Sequence, residues 1–398
     1  MRILMFSYEY PPHIVGGLGK HVADLLPALA SSAVDVHLVT PVPPTEAGTE
    51  SIGGFTVHRV PAPTGPFADF YQQAWETNKT LYDACQGIRE RYGPFDLVHT
   101  HDWLTSFAAI QFKQAYKTPL LATIHATERG RGRGSLGSEM ACRVNEAEWQ
   151  LVYEAWRVIC CTQYMVREVA DYLQMPENKI DVIPNGVDPR PFRALDGLDL
   201  TSLRARYAFA EEKLVFFIGR LVAEKGAEIL VRAAPTVLQK MPKVRFVIAG
   251  RGPETAHLQQ VINELNLHTH VSLAGFISDD ERDKLFKTAD CAVFPSLYEP
   301  FGIVALEAMA ARVPVVVSEV GGLREVVQHG ETGITIYPNN PDSCAWGILH
   351  TLQNPQWSAI RVANAYQKVL LVYNWQTIAA QTTAVYQRVV AERAQTPW

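Results

Sequence analysis

The chain has 398 residues, more than a single hydrophobic core usually serves, so two domains are expected. Its 47% hydrophobic and 19% charged residues are those of an ordinary folded soluble protein. A net charge of −5 argues against a general nucleic-acid binder, and no apolar run approaches the roughly 18 residues of a transmembrane segment.

The opening run, residues 2–7, is apolar but soon meets Glu9 and the Pro11-Pro12 pair. It is too short for a signal-peptide core and reads as a buried strand. A Gly-rich turn and a helical stretch, 20–30, follow. Strands are then expected at 34–40, 55–60, 97–99, 120–125, 158–162 and 181–184, with amphipathic segments between them. Such alternation predicts an α/β fold with a largely parallel sheet covered by helices on both faces. Pro189 and Pro191 precede a polar stretch to about Thr201, a plausible linker, and the pattern restarts. Strands are expected at 213–218, 244–249, 271–274, 291–294 and 313–317, and helices at 226–240, 253–265, 280–288 and 301–311. This is a second doubly wound unit of about 170 residues. The expected division is 1–190, 191–370 and a last helical piece, 371–398, packing back on the first domain. The six cysteines form no C-x-x-C pair or zinc-finger spacing, and Cys160 and Cys161 sit in an apolar run as buried thiols. A reducing, cytoplasmic setting is the expectation.

In open parallel sheets, ligands bind beyond the carboxyl ends of the strands. Two such domains in tandem are expected to enclose a cleft and to close over substrate. The most informative residues fall at strand ends. After the 291–294 strand, a loop carries Glu299, and a helix starts near Phe301 or Gly302. Its unbonded first-turn amides suit a phosphate, and Gly302 lets a ligand come close to the backbone. Glu307, inside the helix, can accept two hydrogen bonds from a ribose diol. After the 213–218 strand, Arg220 and Lys225 place two cations where a diphosphate can bind and where its charge can be stabilised as it leaves. Gly250 lies in a third strand–glycine–helix turn, and Gly275-Phe276 in a fourth. Each signal alone is weak: solvated glutamates, surface cations and tight turns are common.

The order G-R-x4-K-G, A-G-x-G, G-F and E-x7-E resembles the donor domain of retaining glycosyltransferases of GT-B fold, two Rossmann-like domains facing across a cleft. Within these it is similar to the group of glycogen synthases and sucrose-phosphate synthases, and the resemblance covers essentially the whole chain. It implies that Arg220 and Lys225 hold the donor diphosphate, and that Glu299 contacts the sugar hydroxyls beside the Phe301, Gly302 and Ile303 segment. It further implies that Glu307 holds the ribose and that Phe276 lies near the base, with the Gly250 turn alongside.

The first half supplies the acceptor side of that resemblance. Gly16 and Gly17 open the first long helix and can admit a phosphate or sugar to the backbone. Glycogen and starch synthases carry a lysine two residues before this glycine pair; here Ile14 stands there, which weakens an assignment to the standard bacterial glycogen synthases. His99, His101, Asp102 and Trp103 match the H-x-H-D-W segment that lines the cleft. His125 matches the histidine that approaches the transferred sugar, and the bland alternative is a satisfied core histidine. Arg129, Arg131 and Arg133 form a basic segment, expected to be flexible, that either closes over an acidic acceptor or is simply solvated. Arg143 lies in a setting where sucrose-phosphate synthases meet the acceptor phosphate. Asn185-Gly186-Val187-Asp188 matches a turn bordering the cleft.

The resemblance implies retention of configuration, with the departing diphosphate helping to deprotonate the acceptor and no protein nucleophile. His99, His101 and Asp102 could be imagined around a metal, but H-x-H-D needs a further ligand, and neither a metal nor a cofactor is expected. A glycosidase is disfavoured: eight helical residues separate Glu299 from Glu307 by roughly 12 Å, against about 5–9.5 Å for paired catalytic carboxyls. Epimerases and phosphorylases of this fold, and a non-catalytic sugar-nucleotide sensor, are the remaining rivals. The expected activity is glucosyl transfer from UDP- or ADP-glucose to an α-glucan; the alternative acceptor is fructose 6-phosphate, and a lipid-linked or small-metabolite acceptor is a third choice.

Overall fold

The computed structural model describes residues 1–397. The chain divides into two compact units: Met1–Gly186 together with the final helix, Trp375–Ala394, and Val187–Asn374. The crossings lie at 186/187 and 374/375, a few residues from the expected 190/191 and 370/371. The backbone N–H of Val187 donates to the carbonyl of Tyr373 at 2.9 Å, so both ends of the second unit are tied to each other just inside the crossings.

The first unit is built on eight strands: β1 (Arg2–Phe6), β2 (Asp35–Val42), β3 (Gly48–Ile52), β4 (Phe55–Pro61), β5 (Leu97–His101), β6 (Leu120–Ile124), β7 (Arg157–Cys160) and β8 (Ile180–Val182). Their order is β3-β4-β2-β1-β5-β6-β7-β8, and every pairing is parallel except β3 with β4. The central strands β1, β5, β6 and β7 are buried along almost their whole length, as helix-covered sheets require. The helix Gly17–Ser31 lays Val22, Leu25, Leu26 and Leu29 on the sheet, and the final helix adds Ile378, Val385, Tyr386 and Val389 to the same core.

The second unit has six strands, all parallel: β9 (Lys213–Ile218), β10 (Val244–Ala249), β11 (Val271–Gly275), β12 (Cys291–Phe294), β13 (Val315–Ser318) and β14 (Ile334–Ile336), in the order β11-β10-β9-β12-β13-β14. In both sheets the chain starts in the middle and runs first to one side, then to the other. The reversals fall between β1 and β5 and between β9 and β12. At such points the loops leaving neighbouring strands part in opposite directions and open a crevice at the carboxyl edge.

Two strands escape the sequence pattern. β3 is exposed along its whole length and carries no buried alternation. Its mark is the Gly53-Gly54 turn, both residues at positive φ, which closes a hairpin onto β4. β14 is three residues long, too short for periodicity to register.

Candidate active site

In the second unit, the loops leaving β9 and β12 meet at the sheet reversal. The amides of Leu297 and Tyr298 donate to the Glu224 carbonyl at 2.7 and 3.3 Å, docking one loop on the other. That contact brings Lys225 Nζ to 2.7 Å from Glu299 Oε2. Glu299 is only 8% exposed, so its carboxylate has exchanged most of its water for this cation. Gly226, at φ +67°, lets the loop turn where a Cβ would stand 2.0 Å from the Pro295 carbonyl. Arg220 sits at the other edge of the loop, exposed, in a 3.1 Å pair with Glu224.

The helix after Glu299 runs Ile303–Ala310, with Gly302 as its N-cap at φ +105° and no side-chain cap. Of the two expected starts, Gly302 is the N-cap, whereas Phe301 lies before the helix, buried and edge-on against Tyr373. Glu307 is 3% exposed, and its Oε1 lies 3.8 Å from Arg282. Arg282, which no motif marked, is held by Asp279 and Asp283 at 2.7 and 2.8 Å and so lends Glu307 a fixed positive neighbour. Gly250 is required by packing: at φ +135° a Cβ there would stand 1.8 Å from the Gly219 carbonyl. Phe276 is 70% exposed, with the Arg251 guanidinium 5.6 Å from its ring centre, so its side chain is not core.

In the first unit, the loop after β1 folds over its own carboxylate. Glu9 Oε2 accepts from the amides of Val15 and Gly16, each at 2.9 Å. The Gly16 amide expected to meet a ligand therefore holds the chain's own anion. Space remains beside it, since a Cβ on Gly16 would meet nothing within 4 Å. Gly17 is the first residue of the helix.

His99, expected on the acceptor side, is buried in the first unit. β5 extends through His101, so His99 and His101 share one face of the sheet. His99 is 1% exposed, and both ring nitrogens are engaged at 2.8 Å, Nδ1 with the Tyr386 hydroxyl and Nε2 with Thr123 Oγ1. Burial holds its pKa down to about 3. Asp102, also expected on the acceptor side, turns inward: its Oδ1 accepts from the His125 amide at 2.7 Å. Burial raises its pKa to about 7, against the lowering effect of that hydrogen bond. Asp102 thus braces the loop that carries His125.

The imagined metal trio of His99, His101 and Asp102 does not form. His101 pairs instead with His125, Nδ1 to Nε2 at 3.0 Å with nearly stacked rings, and His21 comes edge-on to His125 with centroids 4.8 Å apart. Burial lowers the pKa of His125 to about 4 and takes those of His21 and His101 well below the ordinary value. His21 also hydrogen-bonds Asn185, which opposes its shift.

The basic segment is not an open loop. Glu128–Arg131 is a helical turn capped by Thr127, whose Oγ1 accepts from the Gly130 amide at 3.0 Å. Arg131 and Arg133 are exposed and Arg129 is half-buried against Tyr172. Both carboxylate oxygens of the buried Glu148 accept from the Glu128 amide, at 2.9 and 3.1 Å. Burial pushes the Glu148 pKa up to about 8. Arg143 is committed elsewhere, to Asp69 at 2.8 Å and the face of Tyr71 at 4.2 Å. Tyr386, from the final helix, reaches His99 across 287 positions of sequence. No local pattern could have announced it.

Residues 201–368 match glycosyl transferases group 1, and residues 15–190 match glycosyltransferase family 4. An uncharacterized glycosyltransferase of Methanocaldococcus jannaschii is 37% identical over 97% of this chain and 98% of its own. A glycogen synthase of Mycobacterium tuberculosis is 34% identical over 97% of this chain and 94% of its own. Among solved structures, a sucrose-phosphate synthase from Thermosynechococcus elongatus superposes with a TM-score of 0.81 at 24% identity, covering 98% and 99% of the two chains. With its two Rossmann-like units and the matches along both, the chain belongs to the glycosyltransferases of GT-B fold.

Proposed function

We propose that the chain transfers glucose from UDP- or ADP-glucose to an α-glucan, with retention of configuration. The observation that carries this reading is the Lys225–Glu299 pair, 2.7 Å apart at the sheet reversal and just before the uncapped helix Ile303–Ala310. A lysine, a neighbouring arginine and first-turn amides together suit a diphosphate, and a carboxylate beside them suits sugar hydroxyls. Lys225 and Arg220 hold the diphosphate and stabilise its charge as the glycosidic bond breaks, and Glu299 orients the sugar. The amides of Gly302 and Ile303 add to the anion site, Glu307 takes the ribose, and the Gly250 and Phe276 turns border the base. In the first unit, His125 is the group offered to the transferred sugar, oriented by Asp102 and His101. The departing diphosphate takes the acceptor proton, so neither a protein nucleophile nor a catalytic metal is needed. The relative named as a glycogen synthase supports the glucan acceptor.

A second reading, a phosphorylated sugar as acceptor, is favoured by the exposed Arg131 and Arg133 and by the neighbour named as a sucrose-phosphate synthase. Nucleoside-diphosphate release from each donor, in EDTA, with glycogen or fructose 6-phosphate decides between them. Release with glycogen alone supports the first reading and with fructose 6-phosphate alone the second. Release with neither rejects both acceptors, and loss of activity in EDTA rejects metal-free transfer.

A further inference from the structure

His21 comes from the first long helix, His101 from the end of β5 and His125 from just after β6. One ring nitrogen of each lies within 4.8 Å of one from each of the others. We propose that these three imidazoles form a binding site for a divalent transition-metal ion of the zinc and copper class, and that the bound ion inhibits the transferase.

The first support is geometric. Nitrogens at about 2.0–2.1 Å from a tetrahedral ion stand about 3.4 Å apart. His101 and His125 already meet at 3.0 Å, and the His21 nitrogen lies within 4.8 Å of both, so a shift of at most about 1.4 Å closes the set. The second support is the hydrogen-bond inventory. Among the described residues, His21 Nδ1 is buried and has no hydrogen-bond partner; His101 Nε2 lacks one too, but it lies across the ring from the Nδ1 that meets His125 and does not point to the same ion. Buried polar atoms are nearly always satisfied, and those left over call for a bound ion or water. His21 uses its other nitrogen on Asn185, which orients the ring and leaves the Nδ1 lone pair bare. Histidine ligands of metal ions are held by just this kind of outer contact.

The donor set selects the ion. Three nitrogens suit zinc, copper or nickel, whereas magnesium and calcium prefer oxygen. His99 is not a fourth ligand, because Tyr386 and Thr123 already take both of its nitrogens. Three protein ligands leave a fourth position for water, and His125, the one member of the trio that is partly exposed, gives access. Coordination replaces the proton shared between His101 Nδ1 and His125 Nε2 and holds the His125 ring on the ion, not on a sugar. The inhibitory half of the proposal rests on the role given to His125 above; the binding half does not.

The test uses the full chain after chelation, titrated with cobalt(II) and then zinc. The expected result is the visible d–d spectrum of a tetrahedral site, filled by one cobalt per chain and discharged by one zinc. His21→Gln, checked for folding by circular dichroism, is expected to weaken zinc by at least about tenfold, since even outer-contact losses cost that much. Cys142→Ser removes the exposed thiol and is expected to change nothing. An octahedral spectrum, affinity unchanged in His21→Gln, or loss of binding in Cys142→Ser overturns the site. If the orphan His21 nitrogen holds only water, no tetrahedral spectrum develops, which overturns it too. Donor turnover is then measured with and without stoichiometric zinc. Inhibition reversed by EDTA in the native chain, and weakened in His21→Gln, supports the second half. Full activity with zinc bound overturns the inhibition while leaving the site. If the chain transfers no sugar at all, the inhibitory half falls with the functional reading, and the spectra still decide the site.

Discussion

Lys225 and Glu299 are 74 positions apart and partly withdrawn from water, so each depends on the other for its charge to be tolerated. Lys225→Ala is expected to lower turnover by about 10²–10³, the usual cost of losing a donor to a developing anion. It also strands the Glu299 carboxylate, at a cost of roughly 2–3 kcal/mol in the stability of the second unit. The double variant Lys225→Ala, Glu299→Gln separates the two effects: chemical denaturation should recover, and turnover should not. Glu148 makes an argument of the opposite sign. Its folded pKa of about 8 lies above the ordinary 4.5, so the folded state holds a proton that the unfolded chain releases. That contribution is fully present below about pH 4.5 and is lost as pH rises through 8. Glu148→Gln keeps an oxygen for the Glu128 amide without the charge. Between pH 5 and 9 the native first unit should lose on the order of 2–4 kcal/mol more stability than the variant, read from denaturation midpoints at the two pH values.

The strand-end loops show why two glycines in similar motifs answer to different constraints. Gly250 lies at φ +135°, its amide donating to the Gly275 carbonyl at 2.7 Å, with the Gly219 carbonyl where a Cβ would be. Gly16 is extended, with open space around its missing side chain. Gly250→Ala is therefore expected to cost more than about 2 kcal/mol in the second unit, from strain and overlap together. Gly16→Ala should melt within a degree or two of the native chain, a difference of about 0.5 kcal/mol or less, and show any loss in KM. Thermal melts paired with steady-state kinetics check both. This contrast also marks what was legible beforehand. The strands β9, β10 and β12 match their expected limits because parallel, doubly covered strands are continuous apolar runs ended by glycine or proline. The motif residues at the carboxyl ends of β9 and β12 were legible for the same reason: the topology puts them there. The fate of His99 was not. Its pattern was indistinguishable from that of His101 until Tyr386 arrived from the other end of the chain. Arg282 and Glu148 likewise matter through Glu307 and Glu128, partners that no local spacing encodes.

The second unit is one continuous stretch, Val187–Asn374, with its own sheet and core, while the first is completed only when the final helix returns. That helix contributes Trp375, Ile378, Val385, Tyr386 and Val389 to the first core, all 7% exposed or less. At about 1.5–3 kcal/mol for each large apolar side chain buried, the helix supplies on the order of 10 kcal/mol. This is comparable to the whole stability of a typical domain, about 5–15 kcal/mol. It also seats Tyr386 on His99 and places Trp375 beside His21, so the histidine cluster depends on it. A fragment of residues 187–374 is therefore expected to fold alone and melt cooperatively. A chain ending at 374 should keep only that transition, its first unit exposed to protease and lacking a melt of its own. Adding residues 375–397 as a separate peptide should restore protection of the first unit alone. Two undiminished transitions in the shortened chain would mean that the final helix only covers a core already complete, and would remove the reason for Tyr386 to sit where it does.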